Sequence, residues 1–257
     1  MRRLFFLVTL LLALSRGTGA QNVATKPLPD APGKSLAKTA DYSQEAYVVE
    51  LLRTSYRFEN DGTGKKEVIA RVKVQSEAGV EQWGQLVIGY SSANERVEIP
   101  YVRVLKADGQ VVTAPPDAVQ DLTAPVEREA PVYTDYRQKH ITVPGLRPGE
   151  VLEYDVVTVI HTPLAPGQFW MEHDFDKHDI ILDEELELNI ASGRTVKLKT
   201  KPGMDPKSTE ENGRRFYRWT SSHLDRDDED DDNKKGGKKS NPQEYCPSVP
   251  RPDLQRI

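Results

Sequence analysis

The 257-residue chain predicts an all-β fold, a β-sandwich of antiparallel strands joined by Gly/Pro-rich turns, with little helix. Three observations carry this. Apolar residues recur with period two along most of the chain, which is the mark of a strand with one wet face. Gly- and Pro-containing turn signals fall between the alternating runs. No long stretch has the 3.6-residue period of an amphipathic helix. A closed β-barrel is the alternative fold.

The elements follow in order. Leu52, Thr54, Tyr56 and Phe58 alternate with Arg53, Ser55 and Arg57. Asn60-Asp61-Gly62-Thr63-Gly64 is a turn, and Val68, Ala70, Val72 and Val74 alternate after it, so the two runs predict a hairpin. Val80, Trp83, Leu86 and Val87 have helical spacing, but the run is short. Val97, Ile99, Val102 and Val104 lead to a turn at Ala107-Asp108-Gly109, followed by Val111-Val112. The segment from Thr113 to Tyr136 holds four prolines and mixed charge, and reads as an irregular crossing. Pro144-Gly145 and Pro148-Gly149 precede a long strand through Leu152, Tyr154, Val156, Thr158 and Ile160. Leu186, Leu188 and Ile190, then Val196 and Leu198, then Tyr217 and Trp219 give three more runs.

Both ends differ from this middle. Met1-Arg2-Arg3, the apolar run Leu4 to Leu14 and the small residues up to Ala20 have the order of a secretory signal peptide, 1–20. The run is too short to span a membrane as a helix, and no later stretch is long enough either. The expectation is export to the periplasm or beyond the cell, with no transmembrane segment after cleavage. Residues 21–40 read as a flexible leader, 41–241 as the β domain, and 242–257 as a proline-rich linker or tail. Asp225 to Asp232 is an acidic block followed by Lys234-Lys235-Gly236-Gly237-Lys238-Lys239. With no apolar residue to bury, it reads as a solvated loop. A calcium loop needs ligands interleaved with turn residues, whereas these acids are consecutive.

Removing Arg2, Arg3 and Arg16 leaves 32 basic residues against 40 acidic ones, an acidic balance that disfavours nucleic acid as a partner. Cys246 is the only cysteine, so no intrachain disulfide can form. It lies in Glu244-Tyr245-Cys246-Pro247, without the base and helix N-terminus that activate a thiol. No serine sits in a strand–turn–helix elbow, and His161 and His223 lie in no catalytic motif. No catalytic residue and no cofactor site is therefore assigned. The densest polar cluster is His173-Asp174-Phe175-Asp176-Lys177-His178-Asp179. His173, Asp176 and His178 are the candidate metal ligands there, but their spacing matches no established metal motif, and no metal is expected. On a strand His173 and His178 would face opposite ways, while Asp174, Asp176 and His178 would share a face. Trp83, Tyr101, Phe169 and Trp170 could line a sugar- or peptide-binding face, and core filling is the preferred reading.

Several stretches together resemble one bacterial family. They are Tyr56-Arg57-Phe58, Asp61-Gly62-Thr63-Gly64, Arg71-Val72-Lys73-Val74, Gly84-Gln85 through Tyr90-Ser91-Ser92, Val102 through Gly109, and Val143-Pro144-Gly145-Leu146-Arg147-Pro148-Gly149-Glu150 with Glu153-Tyr154. The family is the domain of unknown function found N-terminal to transglutaminase-like domains in secreted or envelope proteins. The resemblance is spread over roughly residues 45–250 without one invariant motif. It implies a β-sandwich outside the cytoplasm with no known activity and no established catalytic residues, partnered by a transglutaminase-like domain or another envelope protein. Two other classes stay open: an independent extracellular module binding peptide or glycan, and a metal-dependent hydrolase built on His173, Asp176 and His178.

Overall fold

The computed structural model describes residues 41–123 and 135–225. The expected signal peptide, the leader, most of the acidic and basic blocks, Cys246 and the tail lie outside them.

The described residues form eleven strands. The first four are β1 (Tyr47–Phe58), β2 (Gly64–Val74), β3 (Gln85–Ser91) and β4 (Glu95–Leu105). β5 (Val111–Thr113), β6 (Val119–Thr123), β7 (Tyr136–Thr142) and β8 (Val151–Ile160) follow. The last three are β9 (Ile181–Ala191), β10 (Lys207–Glu211) and β11 (Arg214–His223). One helix, α1 (Glu77–Trp83), starts at Ser76, whose hydroxyl accepts from the Gly79 amide. The strands form an eight-stranded sheet, β10-β11-β9-β1-β2-β8-β4-β5, and a three-stranded sheet, β3-β7-β6. The fold is all-β, in two sheets with no closed barrel. Every pairing is antiparallel except β1 with β9, which run parallel because the chain crosses the domain between them.

The two expected tight turns are present. At Gly62 φ is +89°, and the Asp61 carboxylate accepts from the Thr63 amide at 2.9 Å; at Gly109 φ is +86°. Both are left-handed positions suited to glycine.

Three expectations need correction. The run Val80 to Val87 is not one helix: α1 ends at Trp83, and Leu86 and Val87 lie in β3. Around Val196 and Leu198 no strand forms; Val196 packs against a core cluster while Leu198 is 42% exposed, so the alternation buries only one residue. Of the Thr113–Tyr136 crossing, residues 124–134 lie outside the described residues, and its described start is ordered by a 3-10 turn at Pro116–Ala118 that leads into β6.

The small sheet covers one half of the large sheet's inner face. Val72, Val74, Val102, Val104, Leu152 and Tyr154 meet Leu86, Ile88 and Ile141 in the first core. Among the described residues no strand covers the other half, where Tyr56, Phe58, Leu186, Leu188, Ile190 and Trp219 form a second core. A strap, 163–175, lies there instead, opening with a turn at 164–167 and running on without strand pairing. Phe169, Met171 and Phe175 point inward onto that core, while Trp170, Glu172 and Asp174 are exposed. The strap thus has strand-like alternation without belonging to either sheet.

The outer face of the large sheet is polar. Register aligns Leu51, Arg71, Glu153 and Arg103 in one row across β1, β2, β8 and β4. Glu153 is 1% exposed and lies 2.7 Å from Arg71 and 2.6 Å from Arg103. A buried carboxylate needs such partners.

Candidate functional site

The structure separates the three candidate metal ligands. His173 sits on the inward side of the strap, with Nε2 3.6 Å from the Glu184 carboxylate and its ring edge-on to Phe175 at 4.9 Å. Both the His173 and Glu184 side chains are buried. The strap ends beyond Phe175, and Asp176 closes a local turn by accepting from the amides of His178 and Asp179 at 2.6 and 3.0 Å. His178 is exposed. Among the described residues, no group of three or more His, Cys, Asp or Glu side chains is placed to hold a metal ion.

The aromatic residues divide as well. Trp83 and Tyr101 are buried, and Phe169 stacks on Phe58 at 4.2 Å. Trp170 alone of the four is largely exposed, at 61%.

Asp179 and His223 meet at a corner where the first and last described residues come together. The Tyr47 hydroxyl donates to Asp179 at 2.5 Å and accepts from Gln82 at 2.9 Å. His223 Nδ1 donates to the Asp179 carbonyl at 2.8 Å, and the Tyr42 hydroxyl donates to the Leu224 carbonyl at 3.0 Å. Gln75 ties the incoming chain down by donating to the carbonyls of Tyr42 and Glu45. These bonds join residues far apart in sequence, so no local motif announces them.

A cleft of about 340 Å³ opens between the rim of the large sheet and β6–β7. Val97, Ile99, Ala114, Pro116, Val119 and Ile141 form its apolar wall, and Thr113 and Lys139 add polar groups. Lys139 donates to Asp121 at 3.0 Å; Arg137 donates to the same carboxylate at 2.8 Å, and the Tyr90 hydroxyl at 2.7 Å. Partial burial opposes charge on Asp121, yet the hydrogen bonds from Tyr90, Lys139 and Arg137 prevail and hold its carboxyl at about 2. Sequence reasoning missed this cluster. β7 reads Tyr-Arg-Gln-Lys-His-Ile-Thr, too polar for an alternation to show.

DUF3857, a domain of unknown function with a solved structure, matches residues 60–226. Among solved structures, a candidate protease from Parabacteroides distasonis ATCC 8503 superposes with a TM-score of 0.62 at 13% identity, over 72% of this chain and 37% of that one. The chain therefore spans little more than a third of that protein's length. An M1 zinc metallopeptidase from Deinococcus radiodurans aligns at 15% identity over 69% of this chain and 39% of its own, with a TM-score of 0.37. A candidate nutrient-binding protein from Legionella pneumophila aligns at 12% identity over 71% and 64%, with a TM-score of 0.35. Scores that low carry no argument. No curated protein matches the chain in sequence. With more than half of its length matched, the chain belongs to the DUF3857 family of domains of unknown function.

Proposed function

We propose that this chain is an exported, non-catalytic accessory domain that carries and positions a transglutaminase-like catalytic domain. The observation that carries the reading is the corner at which the first and last described residues meet. Tyr42 holds Leu224 there, and Tyr47 and His223 both hold Asp179. Bonds that tie Tyr42 to Leu224 and His223 to Asp179 give a segment that follows Asp225 a fixed starting point, as a scaffold needs. The buried charges support the same role. Glu153 is engaged by Arg71 and Arg103 across neighbouring strands, which holds the sheet together. The likeness to part of a longer candidate protease fits an arrangement in which chemistry resides outside this fold. Export rests on the order of charged, apolar and small residues in 1–20.

The test is to read the gene downstream of codon 257 and the neighbouring genes, then to co-express the encoded catalytic domain with this chain. The expected result is a transglutaminase-like domain that co-purifies with the chain and is activated or stabilised by it. A domain that neither binds nor responds overturns the reading.

A further inference from the structure

The cleft beside Lys139 is not used by the scaffold role, and its chemistry selects a ligand. We propose that it binds a compact apolar group carrying a carboxylate.

The walls set the apolar half. Val97, Ile99, Ala114, Pro116, Val119 and Ile141 enclose about 340 Å³, at the small end of the range for ligand sites. That space suits a single large side chain rather than an extended polymer. The edge of the sheet alongside argues the same way. β5 pairs only with Arg103, Val104 and Leu105 of β4, so the stretch from Glu95 to Tyr101 borders the cleft without a strand described on that side. Yet the ladder between β4 and β8 is broken between Glu98 and Tyr101, and Pro100, in that break, has no amide to donate. A bulge with proline at an edge resists the addition of another strand. A ligand enters this cleft as a side chain, not as a β-strand.

Charge sets the other half. Lys139 lines the cleft, and it shares the single carboxylate of Asp121 with Arg137. Two cations on one anion leave a net positive charge at the wall. An ammonium has three protons to donate, and Asp121 takes one of them from Lys139. On the adjoining strands Glu98 is engaged by Arg96 and Glu153 by Arg71 and Arg103, and Asp117 lies in the 3-10 turn beside the cleft. The arrangement is complementary to one carboxylate held beside an apolar group. Two sources present that chemistry: the C-terminal residue of a peptide and a free apolar acid.

The test titrates the full chain with N-acetyl-leucine and with N-acetyl-leucinamide, following backbone amide shifts in β4, β6 and β7. The acid is expected to bind at least about tenfold more tightly than the amide, the usual worth of a hydrogen bond to a charged group. Lys139→Met should erase that preference and Lys139→Arg should retain it. Gly-Gly-Leu with a free C-terminus, compared with hexanoate, separates the two sources: tighter tripeptide binding assigns a peptide end, and equal binding a free acid. Equal affinity of the native chain for acid and amide, or no shifts with either, overturns the proposal without recourse to any variant.

Discussion

Glu153 and Arg103 face each other as register partners on β8 and β4, with the carboxylate 2.6 Å from the guanidinium. Arg71 reaches the other carboxylate oxygen from β2 at 2.7 Å, so one buried anion joins three central strands. Replacing Glu153 with Leu leaves two half-buried guanidinium groups without their shared partner. We expect a loss of about 3 kcal/mol in urea unfolding. A loss below about 1 kcal/mol would show that the arginines find other partners.

Lys66 gives a prediction with a definite pH dependence. Burial pushes its amine down to about 8, against the pull of Glu95. The folded state therefore holds that proton less firmly than the unfolded chain does. The penalty for a charged Lys66 is full below pH 8 and fades as the pH rises towards 10.5, the usual lysine value. Lys66→Met should raise stability near pH 7 by on the order of 2 kcal/mol, with the gain gone near pH 10.5. A gain of equal size at both pH values would assign the effect to packing rather than charge.

At Gly62 a side chain meets two obstacles. φ is +89°, and an added Cβ would lie 2.5 Å from the Gln168 carbonyl oxygen and 3.0 Å from Pro163 Cβ. Gly62→Ala should cost about 2 kcal/mol and speed amide exchange in 163–168. Unchanged exchange there would mean that the turn and the strap do not brace each other.

His173 and Glu184 make a buried contact that is not optimised. Among the described residues, His173 Nε2 and Glu184 Oε2 have no hydrogen-bond partner. Replacing the pair with apolar side chains, by combining His173→Phe with Glu184→Leu, should leave the urea midpoint equal or higher. A fall of more than about 1 kcal/mol in the double variant would instead give the pair a stabilising role.

The sequence made some of these features readable and hid others. Leu52 to Phe58 and Leu186 to Ile190 alternate cleanly because one face of each strand is buried. β7 was invisible, since five of its seven residues are only partly buried and most are polar. The strap shows why alternation is not pairing: Phe169, Met171 and Phe175 point inward on an extended chain that joins no ladder. The parallel pairing of β1 with β9 has no local signal, because it depends on the path of the chain between them. His173 was legible as a polar candidate, but its partner Glu184 was not, since the strap and its turn decide which carboxylate it meets. The Lys139–Asp121–Arg137 cluster depends on the register of β6 against β7, which no spacing in the sequence encodes.

The most direct test of the accessory-domain account is the chemistry of the purified full chain by itself. Amine-incorporation and peptidase assays are run on it beside a Cys246→Ala control, Cys246 lying outside the described residues. Acyl transfer requires a nucleophile held against an oriented base. The account predicts no turnover above buffer for either protein. Turnover by the native chain that the Cys246→Ala variant loses would contradict it.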